Sequence, residues 1–123
     1  MALAAALQAA LAFNLACTGT ERAGPLGLSV PSQVPALFEI TYRVDMDLRR
    51  WCSDACARTE AIGSVLFGRI LLRDESGPRG RHVIEFNPMT LSLTDTLTDG
   101  DRQVLRHGTC TRQAFTGFPS LTA

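Results

Sequence analysis

The sequence lacks lysine altogether, so its 12 basic residues are all arginines, and 12 acidic residues bring the formal net charge to zero. Charge neutrality argues against a nucleic-acid-binding surface, which would need a basic patch, and against a polybasic route to a membrane surface. Because a P-loop requires a lysine, phosphate binding of that kind is excluded. The exclusive use of arginine indicates a GC-rich, bacterial genome.

Catalytic motifs are scarce as well. No serine lies in the G-x-S-x-G pattern of a hydrolase elbow, and no C-x-x-C pair is present for a thioredoxin-like site. The two histidines, His82 and His107, each follow an arginine, and such side chains usually bond to water or backbone. We therefore assign no catalytic, cofactor-binding or metal-ligating residue and expect no cofactor. The alternative is a small envelope enzyme that pairs an aspartate with His82 or His107.

The first 12 residues are small and apolar, with one glutamine. Ala10-Leu11-Ala12 matches the A-x-A form of a signal-peptidase site, so we expect a signal peptide over residues 1–12 and a single domain over residues 13–123. The segment is shorter than the usual ~15–30 residues and lacks a basic residue before its apolar run. A start codon placed too far downstream would explain both features. The segment is also too short to span a membrane.

Two alternatives to a cleaved signal peptide stay open. Alanine and leucine are strong helix formers, so residues 1–12 also fit an N-terminal helix of a cytosolic domain. Cys17 invites a lipoprotein interpretation, although Asn14 stands where lipoprotein signals usually carry leucine.

The four cysteines are even in number, which fits an oxidising compartment, and they allow three pairings. We predict a Cys17–Cys110 bridge between the two ends of the mature chain and a Cys52–Cys56 bridge at a corner beside Trp51. A bridge across almost the whole chain removes much of the entropy of the unfolded state. Zinc binding is the rival hypothesis, but thiolate zinc sites use tight knuckles in pairs, and here a single loose C-x3-C pair is present.

Alternation of apolar and polar residues predicts antiparallel strands. The clearest pattern covers residues 36–47, where every second side chain from Phe38 to Met46 is apolar. Residues 61–73 also favour a strand, although they fit a buried helix. Six or seven short strands without alternating helices predict an all-β antiparallel meander, either a small barrel or a two-layer sandwich. At most one short helical turn is expected, after Trp51, with Ser53 or Asp54 as its cap.

Glycine and proline mark the connections between these strands. We expect a long loop over residues 20–35, with at most a short edge strand near residues 26–30, because the prolines there cannot lie inside a central strand. Residues 74–80 are expected to form a polar loop within a hairpin. Asp99-Gly100 predicts a type I′ turn, whose two central residues both have positive φ.

Two groups of aspartates are candidate sites. Asp95, Asp99 and Asp101 do not complete an EF-hand, because two of the ligand positions fall on Leu97 and Arg106, so we interpret them as a polar hairpin tip. The second group lies beside Arg49 and Arg50 at the Trp51 corner, and we interpret it as a solvated charge network rather than a catalytic pair; its members are Asp45, Asp47 and Asp54.

The two ends of the chain carry a recognisable pattern. Phe13-Asn14-Leu15-x-Cys17-x-Gly19 at the front, the Trp51-Cys52 corner, and Gly108-x-Cys110 followed by Phe115 resemble small secreted hypothetical proteins of alphaproteobacteria. The resemblance implies secretion and a bond between the two end cysteines, and it implies no activity. In such proteins a strand in the middle often ends in a Thr-Gly turn, whereas here Thr90 precedes Leu91. The opening strand is also similar to that of the C-type lysozyme-inhibitor lipoproteins, without their inhibitory loop motif.

These observations favour a secreted or periplasmic, disulfide-stapled β scaffold that binds an unknown protein or envelope ligand. Loops carry function on such scaffolds, so residues 20–35 and 74–80 are the expected contact surfaces.

Overall fold

A computed structural model describes residues 11–25 and 35–119, and the elements within these ranges are nine β-strands. Their bounds are β1 Ala12–Pro25, β2 Ala36–Asp45, β3 Arg50–Ser53, β4 Glu60–Ala61, β5 Ser64–Leu66, β6 Arg69–Gly77, β7 Gly80–Asn87, β8 Ser92–Asp99 and β9 Arg102–Ala114. The all-β antiparallel class predicted from the alternation is confirmed. The strand count of six or seven was too low, because the apolar run after Ala61 holds two strands and the Trp51 corner holds two more.

The strands form one sheet in the order β4-β3-β2-β1-β9-β8-β7-β6-β5. Two sequential meanders, β1 to β4 and β5 to β9, therefore meet where β1 pairs with β9. The edge strands β4 and β5 are joined by two residues, Ile62 and Gly63. A flat sheet of nine strands would separate its edges by about 38 Å, whereas this connection reaches only about 10 Å.

The sheet must therefore curl until its edges approach each other, and it forms a half-barrel. The connection bonds to both sides of the gap. The Ile62 amide donates to the Arg49 carbonyl at 3.0 Å, and the Gly63 amide donates to the Leu72 carbonyl at 3.2 Å. The concave side of this half-barrel is the core of the molecule.

The seam between β1 and β9 carries the first disulfide. Cys17 lies directly opposite Cys110, and a disulfide joins them across a sequence separation of 93 residues. A second disulfide joins Cys52 to Cys56. These are the two pairings proposed from the sequence, and the first one places the long strand at the front of the chain beside the long strand at its back.

The core is formed by the side chains that alternate onto the concave face of the sheet. Alternate residues of β1 and β2 point to the concave side, which buries Phe13, Leu15, Tyr42 and Val44. The other buried members come from β1, β3, β6, β7, β8 and β9 and from the connection between the edges; they are Cys17, Trp51, Ile62, Ile70, Leu72, Ile84, Phe86, Leu93 and Cys110. Phe38, Ile40 and Met46, which share the predicted apolar face, are partly buried against this cluster.

Several predicted loops are strand instead. The expected loop over residues 20–35 begins too early, since β1 continues to Pro25 and pairs with β9 as far as Arg102. Residues 26–34, including the suggested edge strand, lie outside the described residues. The expected polar loop over residues 74–80 is also wrong, because β6 and β7 pair up to Gly77 and Gly80 and leave a turn of two residues.

The tight turn predicted at Asp99-Gly100 is present with a shifted centre. At the β8–β9 hairpin, Asp99 pairs with Arg102, so the central residues are Gly100 and Asp101 rather than Asp99 and Gly100. Gly100 has φ +63° and Asp101 has no positive φ, which fits a type II′ turn instead of type I′. Residues 54–59 contain turns and bends, not the short helical turn that Ser53 or Asp54 would cap, and β4 follows at Glu60.

Candidate functional site

The half-barrel has two ends with different chemistry, and the polar one holds an ion-pair network. His82 on β7 bonds through Nε2 to Asp95 Oδ1 on β8 at 2.7 Å. Arg106 on β9 lies 3.7 Å from Asp95 Oδ2 and donates from Nε to Glu21 on β1 at 2.5 Å. On the other side, Arg73 on β6 faces His82 Nδ1 at 3.3 Å.

The network also closes the gap between the sheet edges. Arg73 forms a salt bridge from Nη2 to Glu60 on β4, across the opening of the half-barrel. Glu75 adds a second carboxylate 3.7 Å from Arg73 Nε. The polar network is therefore the set Glu21, Glu60, Arg73, His82, Asp95 and Arg106, with members on six of the nine strands.

A β-bulge aims Arg73 into this network. Leu71 pairs with Glu85 but Arg73 pairs with Ile84, so Leu72 is an extra residue on β6. Regular pairing would place Leu72 opposite Ile84 and turn Arg73 to the convex face, since successive side chains alternate between faces. The bulge brings Arg73 to the concave side, which is a common use of bulges next to functional sites.

The contacts of His82 determine which of its ring nitrogens carries the proton. A guanidinium group only donates hydrogen bonds, so His82 Nδ1 must accept from Arg73 and its ring proton must lie on Nε2. Nε2 then donates to the Asp95 carboxylate. Both ring nitrogens are engaged by protein, so His82 in this arrangement has no nitrogen left to take a proton from a substrate.

Two buried polar atoms lie unpaired among the described residues: the Tyr42 hydroxyl and Trp51 Nε1. Burial raises the pKa of Tyr42 well above its usual value, and the charge of Asp95 raises it further. The pKa of Arg106 is raised as well. Burial by itself lowers its pKa, but the hydrogen bond to Glu21 and the charges of Glu21 and Asp95 outweigh that effect and raise the pKa. The negative charge of Asp95 therefore raises the pKa of both the Tyr42 hydroxyl and the Arg106 guanidinium.

A pocket of about 290 Å³ lies beside the network, between Glu21, His82, Asp95 and Arg106, with Leu97 and Val104 as its apolar wall. The carboxylates and guanidinium groups at its surface bond to one another. Such an arrangement ties neighbouring strands together, and it leaves few polar atoms to hold a ligand.

The opposite end of the half-barrel carries an apolar cavity of about 310 Å³. Its floor is formed by the buried rings and chains of Phe13 and Ile70, and two arginines, Arg69 and Arg112, stand on its wall. The remaining lining residues come from the turns and the short edge strand; they are Met46, Val65, Leu66, Gly68 and Pro88.

The three turns that contribute lining residues to this cavity also carry large exposed apolar side chains. Phe67, at the β5–β6 turn, is fully exposed, and Met89, at the β7–β8 turn, is 84 % exposed. Leu48 in the β2–β3 turn is 62 % exposed. All three turns lie at the same end of the sheet, because β2, β5 and β7 run toward it. We call the cavity and these three turns the apolar end.

The structure distributes the residues considered from sequence. His82 meets Asp95, whereas His107 is exposed on β9. Asp95 points into the concave side, so it is separate from the hairpin tip where Asp99 pairs with Arg79 at 3.2 Å.

The aspartates near Trp51 serve local turns. Asp45 Oδ1 accepts from the amides of Asp47 and Leu48, and Asp54 Oδ1 accepts from the Thr41 amide. Arg50 donates to Thr59. The residues of the expected charge network therefore form hydrogen bonds to local backbone groups and to the Thr59 side chain.

Sequence reasoning missed Arg73, Arg106 and Glu21 as partners of His82 and Asp95. Arg106 could have been found, because a hairpin centred on Gly100 and Asp101 places it opposite Asp95. Arg73 could not, since its face depends on the bulge at Leu72.

No protein-family model, no curated protein and no solved structure matches this chain. Within the described ranges, no helix reaches the length and apolarity needed to cross a bilayer, and no three metal-ligating side chains converge there. The chemistry of the two ends of the half-barrel is therefore the basis for the functional argument.

Proposed function

We propose that this protein is a secreted or periplasmic binding module whose contact surface is the apolar end of the half-barrel. The observation that carries the proposal is the cluster of exposed apolar side chains, Leu48, Phe67 and Met89, around an apolar cavity. Contiguous exposed apolar surface on a soluble domain usually marks an interaction site. The turns that bear these residues replace the two loops expected from sequence as the contact surface.

The disulfides support the compartment. Two disulfides in a small β fold fit an oxidising environment, and they fit the expected signal peptide over residues 1–12. Residues 1–10 lie outside the described residues. Ala12 opens β1 opposite Asp45, so the domain expected from residue 13 onward begins inside the first strand.

The chemistry of His82 favours binding over catalysis. A general base needs one ring nitrogen oriented by a carboxylate and the other free for the substrate. His82 meets the first condition through Asp95, but its second nitrogen faces Arg73. The enzyme hypothesis thus has its His–Asp pair without the free nitrogen that the pair would require.

A comparative capture experiment tests the proposal. The immobilised wild-type domain, a Phe67→Ser/Met89→Ser variant and a Leu37→Ser control are each exposed to envelope extract, and bound components are identified. Leu37 is 88 % exposed on β2 at the other end of the sheet, so its substitution matches the loss of apolar surface without touching the apolar end.

We expect a component that is retained by the wild type and by the control and is lost by the double variant. Identical capture by all three proteins would contradict the proposal, because the apolar end would then contribute nothing to binding.

A further inference from the structure

We infer that residues 1–10, in the chain that keeps them, fold back onto the apolar end and cover the surface that the proposed function assigns to a partner. This inference rests on the proposed function and concerns the regulation of the same site. Cleavage after Ala12, at the expected signal-peptidase site, would remove the segment and open the surface. The observation that carries the inference is the place where the chain enters the half-barrel, directly beside the apolar cavity.

The chain enters the half-barrel at the rim of this cavity. The Leu11 carbonyl accepts from the Met46 amide at 2.7 Å, and Met46 lines the cavity. Phe13, two residues further along the chain, is buried at the cavity floor. Residues 1–10 are therefore attached next to the cavity, and no long connection is needed to bring them to it.

Residues 1–10 have the composition of a segment that packs against apolar surface. They consist of methionine, alanine and leucine with one glutamine, and they carry no charge. These residue types are strong helix formers. Leu3, Leu7 and Leu11 follow one another at intervals of four, which places them on one face of a helix. Because an alanine-rich helix of this length is marginal by itself in water, it depends on packing of its apolar face.

The apolar end offers the complementary surface. Its cavity of about 310 Å³ holds ~10 groups of water or methylene size, and two leucine side chains supply about eight carbons. The turns that line the cavity add the exposed side chains of Leu48, Phe67 and Met89. Attachment at Leu11 gives the segment an effective concentration on the order of millimolar, so that even weak packing keeps it in place.

The first test is nuclear Overhauser spectroscopy of the full, disulfide-bonded chain with labelled methyl groups. We expect contacts from the methyl groups of Leu3 and Leu7 to those of Val65, Leu66 or Ile70. The absence of every contact between residues 1–10 and the cavity lining would overturn the inference. Contacts that appear only at concentrations where sedimentation equilibrium shows a dimer would overturn it as well, because a second copy would then supply the segment.

A matched pair of variants of the full chain tests whether the segment covers the surface. Leu3→Ser/Leu7→Ser removes the leucine face, and Ala5→Ser/Ala9→Ser makes the same number of serine substitutions on the opposite face of the helix. The probe is 8-anilinonaphthalene-1-sulfonate, a dye that binds exposed apolar surface. A segment that covers the apolar end about nine-tenths of the time lowers the apparent affinity for the dye about tenfold. The leucine variant should therefore bind the dye about tenfold more tightly than the wild type, and the alanine variant should bind it like the wild type.

A combined variant localises the effect. Adding Phe67→Ser/Met89→Ser to Leu3→Ser/Leu7→Ser should abolish the gain in dye affinity, with circular dichroism as the check that each variant is folded. A gain that survives the combination would place the covered surface elsewhere, and equal dye affinity of the wild type and the leucine variant would mean that the segment covers nothing. Either result overturns the inference. The capture experiment decides the proposed function separately, because its domain over residues 13–123 lacks the segment.

Discussion

The two ends of the half-barrel differ in the side chains that they expose, charged at one end and apolar at the other. At the polar end, Arg73 and Arg106 bond to Glu60, His82, Asp95 and Glu21, so charge is matched by charge within the protein. At the apolar end, most of the described lining residues of the cavity are apolar, and Arg69, one of its two arginines, pairs with Glu85.

We interpret the polar end as a structural network and the apolar end as the proposed contact surface. The salt bridges of the polar network stabilise the curl of the sheet. They join β4 to β6, β8 to β9, and β9 to β1. Exposed Phe67 and Met89 contribute little to the core and remain available for a partner. The end that looks catalytic by residue type is thus the better candidate for a structural role.

The largest expected effect concerns the seam that both ends share. Replacing Cys17 and Cys110 by alanine should lower the free energy of unfolding by about 4–5 kcal/mol, because the bridge closes a loop of nearly the whole domain. Replacing Cys52 and Cys56, which close a short loop, should cost only ~2 kcal/mol on the same model. Urea unfolding of both double variants measures the difference. Equal losses would mean that chain entropy is not the main contribution of the seam.

The next effect contrasts the two ends directly. Asp95→Ala should cost about 3 kcal/mol, since it leaves Arg106 and His82 partly buried without their common partner. Phe67→Ser should change stability by less than about 0.5 kcal/mol, because the side chain is exposed. Both values come from urea unfolding at neutral pH. A costly Phe67 or a neutral Asp95 would break the assignment of structure to one end and binding to the other.

A smaller effect appears at alkaline pH. Burial and the charge of Asp95 raise the pKa of Tyr42, so above pH ~10 the unfolded chain releases a proton that the folded chain keeps. Below that pH the ionisation of Tyr42 does not lower the free energy of unfolding. Above it, the free energy of unfolding falls by about 1.4 kcal/mol per pH unit. Tyr42 is the sole tyrosine, the chain has no lysine, and all four cysteines are bonded. The slope should therefore be absent from Tyr42→Phe, and a slope that persists in this variant would assign it to another group.

The sequence predicts the parts of this structure that depend on local pattern. Alternation identifies β2 and the start of β1, since a period of two is a property of each strand alone. The pairing of Cys17 with Cys110 follows from their positions near the two ends of the domain. The boundaries of β1 and β6 were less accessible, because Gly24-Pro25 and Gly77-Pro78 signal loops while pairing with β9 and β7 extends the strands up to them.

The sites depend on long-range geometry. The cavity at the apolar end joins residues of β1, β5, β6 and β9 with three turns, and it exists because the short Ile62–Gly63 connection forces the sheet to curl. The polar network depends on a single extra residue in β6. Neither the curl nor the bulge leaves a local pattern that a single sequence reveals.

The most direct test of the account is a map of amide chemical shifts in the isotope-labelled, disulfide-bonded protein during a titration with an envelope component that the wild-type domain retains and the Phe67→Ser/Met89→Ser variant loses. We expect the shifts to concentrate at the apolar end, at Leu66, Gly68, Ile70 and Arg112, while the amides of His82, Asp95 and Arg106 stay in place. Shifts concentrated around His82 and Asp95 would contradict the account, because the polar network, and not the apolar end, would then be the binding site.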